Sequence, residues 1–216
     1  MAHRNTGGQD LSGPSPAEPA QTARVPSQNR ETRRICVFCG SSPGNNPAYA
    51  QAARGLGRAI GEKGYTLVFG GGAVGLMGEV ARAARSAGAP IIGILPAFLR
   101  GLEPPLKSAE ELIVTPDLQQ RKARMLALAD AFVILPGGLG TFDEYFEVIT
   151  TTQLRVHAKP IIVVDVENYF APLRALLDRV VAQGFARAEI ASYHAFVATP
   201  AEAMEKIAVL LTSRTA

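Results

Sequence analysis

Two short stretches hold side chains able to do chemistry. In PGGLGTFDE, residues 136–144, a Pro-Gly-Gly turn is followed at once by Thr141, Asp143 and Glu144. In LQQRKARM, residues 118–125, Arg121 and Lys122 stand side by side. Backbone amides at a helix start, with no Cβ in the way, make a site for an anion such as phosphate. A carboxylate beside that turn can act on what the phosphate carries, as a general base or as the stabiliser of a developing cation. Leu118, Arg121, Lys122 and Met125 share one helix face at i, i+3, i+4 and i+7. Cations in a helix's first turns oppose its positive end unless an anion answers them. They call for a phosphate, or for the acids of the neighbouring helix.

Each feature also has a purely structural explanation. Thr141-x-x-Glu144 fits a capping box, with Thr141 as N-cap and Glu144 bonding back to a free amide. The helix is then expected from about 142 to 154. Phe142, Phe146 and Ile149 at i, i+4, i+7 make its buried face, and Asp143, Glu144, Glu147 and Thr150 the other. No basic residue joins these acids before Arg155, which favours a site over a solvated face. Gly40-Ser41-Ser42 and Gly70-Gly71-Gly72 are further small-residue turns at strand ends, matching the one at Gly137, Gly138 and Gly140. GGGAVG, residues 70–75, has the form of the dinucleotide fingerprint. That fingerprint needs an acid about 20 residues on for the ribose, where this chain reads IIGILPAF. The motif also follows the second strand of the pattern, not the first, so NAD binding is discounted.

The elements that must position these residues follow from periodicity. Short apolar runs, ICVFCG, YTLVF, PIIGIL, ELIVT, AFVIL, PIIVVD and HAFVA, alternate with helical patterns. Seven strands alternating with helices predict an α/β fold, a Rossmann-like doubly wound parallel sheet with helices on both faces. The ligand is expected beyond the carboxyl ends of the strands. Residues 1–32, rich in Pro, Ser, Gly, Ala and Gln, are expected to be a disordered extension. Residues 33–216 are expected to form one nucleotide-binding domain.

Composition excludes other classes. No apolar run approaches the roughly 20 residues of a membrane span, and the N-terminus has no signal-peptide core, so a cytoplasmic protein with no membrane partner is expected. The net charge of +3 is not gathered into a block, which argues against a nucleic-acid groove. Cys36 and Cys39 form a Cys-x-x-Cys in an apolar, β-rich run. Side chains three apart on a strand face opposite sides, so two buried thiols are expected, not a redox pair. No His or Cys cluster has metal-ligand spacing, and no metal is expected. His157 is expected to cap a helix end, and His194 to be structural.

FGGGAVGLMG, RKARM and PGGLGTFDE, in this order, resemble the LONELY GUY family, the cytokinin riboside 5′-monophosphate phosphoribohydrolases often mislabelled lysine decarboxylases. GSS, QLRVHAKP and AQGF also look like family segments, and the resemblance spans roughly residues 34–190. It implies a Rossmann-like homodimer, or a larger assembly. It implies hydrolysis of a nucleoside 5′-monophosphate to free base and ribose 5-phosphate, without a cofactor. The family's catalytic pair falls on Arg121 and Glu144. Lys122, Gly138, Leu139, Gly140, Thr141 and Thr150 match the family's nucleotide-binding positions, and Ser41, Gly71, Gly72, Met125 and Gly137 are expected to join them from their places at the glycine turns and on the face of Arg121. The chain departs from the family at Leu118–Gln120 and at Thr151, near the base and the subunit contact.

The residues suit that chemistry. Phosphate would rest on the Gly137–Thr141 turn, held by amides and the Thr141 hydroxyl, with the ribose near Glu144. A helix start and a nearby Arg121 both favour an ionised Glu144. Arg121 would donate to the departing base or hold Glu144 in place. The competing functions are a non-catalytic nucleotide- or cofactor-binding protein of the same fold, and a pyridoxal-phosphate decarboxylase. The decarboxylase needs a Schiff-base lysine, for which Lys122 is the candidate nearest the glycine turns.

Overall fold

Seven apolar runs become strands, and each strand except β3 is followed by a long helix. In chain order the elements are β1 (Arg34–Phe38), α1 (Pro47–Glu62), β2 (Thr66–Phe69), α2 (Gly75–Ser86), β3 (Ile91–Pro96), β4 (Glu111–Thr115), α3 (Leu118–Leu128), β5 (Ala131–Ile134), α4 (Leu139–Gln153), β6 (Ile161–Val164), α5 (Ala171–Ala182), β7 (Ala195–Val197) and α6 (Pro200–Thr212). The computed structural model describes residues 32–101, 106 and 109–213. The extension expected over residues 1–32 lies outside the described residues but for Thr32.

All strand pairs are parallel, in the order β4-β3-β2-β1-β5-β6-β7. The chain winds outward from β1 to β4, returns to the centre, and winds the other way through β5 to β7. The doubly wound sheet expected from the sequence is therefore present, and its switch point lies between β1 and β5. Alternation along β1 divides the core. Ile35, Val37 and Cys39 face the layer of α1, α2 and α6, while Cys36 and Phe38 face the layer of α3, α4 and α5. The two cysteines thus lie on opposite faces, both buried and both free. Among the described residues no helix is long and apolar enough to cross a membrane.

Three short 3-10 helices, at Ala97–Gly101, Val166–Asn168 and Ala188–Ser192, were not visible in the periodicity. The larger correction concerns α4, which begins at Leu139 rather than near residue 142. Its buried residues are Thr141, Glu144, Tyr145, Val148 and Ile149. Phe146, expected in the core, is exposed. The helix is rotated so that Tyr145 fills the space beneath the sheet and carries Glu144 inward with it.

His194, expected to be structural, sits among aromatic rings. Its ring stands edge-on to Tyr145 and Phe196, at centroid distances of 5.9 and 5.0 Å. Burial lowers its pKa, and its buried Nδ1 has no hydrogen-bond partner. The unfolded chain takes up a proton near the ordinary value of about 6.5, while the folded ring resists it. The unfolded state therefore binds more protons below that pH, and stability falls as pH falls. Tm is expected to drop between about pH 7 and pH 5.5, and to drop less in His194→Phe, which leaves no buried nitrogen to charge. Thermal denaturation across that range checks this, and equal slopes in the two proteins would exclude it.

Candidate active site

The switch point opens a cleft of about 290 Å³ lined by Gly40, Ser41, Tyr49, Gly137, Gly138 and Tyr169. Its loops are tied together by backbone bonds. The Gly40 amide donates to the Pro136 carbonyl at 3.0 Å. The amides of Leu76 and Met77 donate to the Gly40 carbonyl at 3.0 and 3.3 Å. That last pair decides the role of GGGAVG. The free amides at the start of α2, which a dinucleotide fingerprint would offer to a pyrophosphate, are spent on another loop of the chain.

The starts of α1 and α3 are also closed. Asn46 caps α1, accepting from the Ala48 amide at 2.9 Å. Asp117 caps α3, accepting from the Gln120 amide at 2.7 Å. The start of α4 differs. Its N-cap is Gly138, in an extended conformation (φ −93°, ψ −156°), and no side chain caps it. The bond from the Phe142 amide to the Gly138 carbonyl, 3.1 Å, opens the helical ladder. The amides before it have no partner within the helix. The capping box expected at Thr141 is therefore absent, because Thr141 already lies inside the first turn. Its side chain packs against Gly137, where an added Cβ would come within 2.1 Å of the Thr141 hydroxyl oxygen. Thr141 supports the turn from below while the amides front the cleft.

Helices α3 and α4 bring the predicted catalytic pair together. Arg121 and Glu144 are 9% and 8% exposed, and Nη2 of one lies 3.8 Å from Oε1 of the other. Side chains on a helix tilt toward its N-terminus, so Glu144 leans back over the first turn of α4. Gly70 makes room on the other side, since a Cβ there would lie 2.0 Å from Arg121 Nη2. The guanidinium is poorly bonded for a buried cation. Nη2 reaches the Gly70 carbonyl at only 3.4 Å, and the buried Nε has no partner. Burying donors in this state is unfavourable by about 1–3 kcal/mol for each unsatisfied group.

Lys122 answers the acids of the next helix, one of the two outcomes its position allowed. Its ammonium lies 2.9 Å from Asp143 and 2.6 Å from Glu147. Partial burial pulls its pKa down, but the bonds to Glu147 and Asp143 outweigh this and hold it above the ordinary lysine range. Burial, reinforced by the charge of Glu144, pushes the thiols of Cys36 and Cys39 well up.

The remaining predicted positions divide. Ser41, Gly137 and Gly138 line the cleft, and Gly140 lies exposed in the first turn of α4. Leu139 is 89% exposed at the helix start, so its amide and not its side chain belongs to the turn. Gly71 and Gly72 are buried after β2, where the Gly71 carbonyl accepts from the Leu106 amide at 3.0 Å. Met125 is fully buried in the core beneath Arg121, out of a ligand's reach. Thr150 is exposed and lies six residues beyond Glu144, about 9 Å along the helix. It is not brought to the pair. Sequence reasoning missed Tyr49 and Tyr169, which wall the cleft and meet edge-to-face with centroids 5.6 Å apart. His157 was expected to cap carbonyls. Its ring stands 3.1 Å from the Thr151 hydroxyl and 3.4 Å from that of Thr152, and its Nδ1 accepts from the Lys159 amide at 3.2 Å. A larger groove of about 900 Å³ runs past Arg155, Pro160 and Lys206, and among the described residues no carboxylate side chain lines it.

Fold and site together define a Rossmann-like α/β protein with an uncapped helix start at its switch point and a buried guanidinium–carboxylate pair between α3 and α4. A family described as "possible lysine decarboxylase" matches residues 77–207. A probable cytokinin riboside 5′-monophosphate phosphoribohydrolase of Oryza sativa subsp. japonica is 41% identical over 81% of this chain and 72% of its own. A cytokinin riboside 5′-monophosphate phosphoribohydrolase of Arabidopsis thaliana is 44% identical over 71% of this chain and 70% of its own. The chain belongs to this LONELY GUY family. A molybdenum cofactor binding protein from Rippkaea orientalis has the same fold, with a TM-score of 0.64 at 22% identity over 84% of this chain and 99% of its own.

The contrast between helix starts is testable in solution. On titration with inorganic phosphate, the amide resonances of Gly138, Leu139 and Gly140 are expected to shift, and those of Leu76 and Met77 to stay in place. Two-dimensional NMR on labelled protein makes the comparison. Shifts centred on α2 would assign the anion to the wrong glycine turn.

Proposed function

We propose that the protein hydrolyses the N-glycosidic bond of a nucleoside 5′-monophosphate, releasing the free base and ribose 5-phosphate. Cytokinin riboside 5′-monophosphates and AMP are the substrate class. The observation that carries this reading is the buried, under-bonded Arg121 lying 3.8 Å from Glu144, beside the uncapped start of α4. A binding protein needs the cradle but gains nothing from burying a guanidinium whose Nε has no partner.

Phosphate rests on the amides of Gly138 to Thr141, where the helix start favours negative charge. The ribose then lies over the first turn, under the backward-leaning Glu144. As the bond from C1′ to the base nitrogen lengthens, positive charge grows on the sugar and Glu144 stabilises it. Glu144 also accepts a proton from the water that attacks C1′. Arg121 has donors to spare for the base, which leaves with the bonding electrons and takes up the proton that Glu144 received from the water. Lys122 holds α3 and α4 in register through Asp143 and Glu147. A lysine bonded in this way, with its pKa raised, is the opposite of a Schiff-base nucleophile. This disfavours the decarboxylase reading.

We place the enzyme in the cytoplasm, as its free buried thiols accord with a reducing compartment. We further propose that it acts as a homodimer. Leu139, Phe146 and Leu154 are exposed on α4, with Thr150 between them. The spacing i, i+7, i+11, i+15 sets all four on one face.

Glu144→Gln is expected to lose about 10²- to 10⁴-fold in kcat, the share general-base help supplies. Free base released from AMP and from isopentenyladenosine monophosphate, followed by chromatography, measures it. A variant keeping most wild-type activity would refute the role. Phe146→Glu is expected to convert a dimer to a monomer in size-exclusion chromatography with light scattering, and an unchanged mass would remove α4 from the interface.

A further inference from the structure

Tyr169 lines the switch-point cleft but touches neither member of the catalytic pair by any bond the structure shows. Its hydroxyl donates to the Gly137 carbonyl at 2.5 Å. Gly137 begins the turn on which the proposed phosphate rests. The described residues contain no cis peptide, and in a trans peptide the C=O and the following N–H point in opposite directions. A donor that pins the Gly137 carbonyl therefore aims the Gly138 amide away from Tyr169, toward the open side of the α4 helix start. We infer that Tyr169 is a positioning residue, which sets the Gly137–Gly138 peptide plane so that the turn presents its amides to the substrate phosphate. This inference rests on the nucleotide reading above and deepens it.

The surroundings of Tyr169 are built to hold it there. The two residues before it, Glu167 and Asn168, have φ of 52° and 58°, a left-handed conformation that a non-glycine residue adopts unfavourably. Such strain persists only where the surrounding structure over-determines it, and it gathers at functional sites. Here both flanks are fixed. The Asp165 amide donates to the Val197 carbonyl at 2.8 Å, anchoring the chain to β7. The Asp165 carboxylate accepts from the Phe170 amide at 2.7 Å and pairs with Arg174. Arg174 in turn lies 4.4 Å over the Phe196 ring. The Tyr169 ring is clamped edge-to-face by Tyr49 and Phe170, with centroids at 5.6 and 4.9 Å. The strained turn, the clamp and the hydroxyl all serve one contact, and that contact ends on the Gly137 carbonyl.

The test is Tyr169→Phe in the full chain, which keeps the ring and its packing and removes only the donor. Calorimetry with inorganic phosphate and with ribose 5-phosphate is expected to show binding weakened about five- to tenfold, the effect of one lost hydrogen bond. KM for AMP is expected to rise by a similar factor with kcat close to wild type, while kcat/KM for adenosine, which has no phosphate, stays unchanged. A residue that only supports the fold would lower Tm and move both substrates together, and that result would overturn the inference. So would phosphate affinity equal to wild type. The two proposals fail separately. Wild-type protein that binds phosphate but cleaves no nucleotide rejects the hydrolase and leaves the positioning role standing. Wild-type protein that cleaves AMP, with Tyr169→Phe equally active at low substrate, rejects the positioning role alone.

Discussion

The site depends on one helix start that the chain leaves open. Asn46 and Asp117 close α1 and α3 with side chains, and the Gly40 carbonyl closes α2. Only α4, of these four, begins at a glycine that brings no side chain to its own amides. Leaving out a good N-cap costs a helix about 1 kcal/mol, and the chain accepts that loss where the sheet reverses direction. The interlocking of the glycine turns makes the opening specific. Three turns look alike in sequence, but one spends its carbonyl capping the second, and the third stays free.

The charges around the opening do not earn their place through stability. Lys122 with Asp143 and Glu147 is a part-exposed cluster, and exposed pairs contribute roughly 0.2–1 kcal/mol each. Arg121 and Glu144 are worse placed for stability. Removing them from water costs several kcal/mol per ion, and at 3.8 Å the two do not hydrogen-bond to each other. What the arrangement secures is geometry. Lys122 ties α3 to α4 at the rim, and Gly70 admits the guanidinium beneath it. The acid and the cation are thereby held at one depth, over one turn.

Much of this was legible in the sequence, because strands buried on both faces are short apolar runs and their ends are marked by glycine. Arg121 and Glu144 were legible as chemistry for a related reason: neither residue type is common at a buried position without a task. The course of α4 was harder to read. Gly-Leu-Gly-Thr resembles a loop, and Thr141-x-x-Glu144 imitates a cap, so the helix was expected three residues late. The phase followed the same error. Phe142, Phe146 and Ile149 fit a helical stripe, yet Tyr145 takes the core position, and nothing local to the sequence ranks one aromatic above its neighbour. Tyr169 left no signal at all. It reaches the site through a left-handed pair, Glu167 and Asn168; Asn tolerates that conformation, but Glu has no such preference and is held there by the anchors on either side.

The fold is one that elsewhere carries dinucleotides, and the capping of α2 shows how this chain is restricted to a smaller ligand. A dinucleotide binder lays a pyrophosphate across the first glycine turn, on helix amides left free for it. Here the corresponding turn, Gly40-Ser41-Ser42, leads into a helix whose amide is taken by Asn46. The fingerprint-like turn at Gly70 leads into one whose amides are taken by Gly40. Of the starts of α1 to α4, the one at Gly138 alone is left without a cap, and the buried carboxylate of Glu144 belongs to the same helix. A ligand with one phosphate, and with its sugar within reach of that phosphate, fits the pattern of open and closed helix starts. A longer phosphate chain would find the first amides of α1 and α2 already taken.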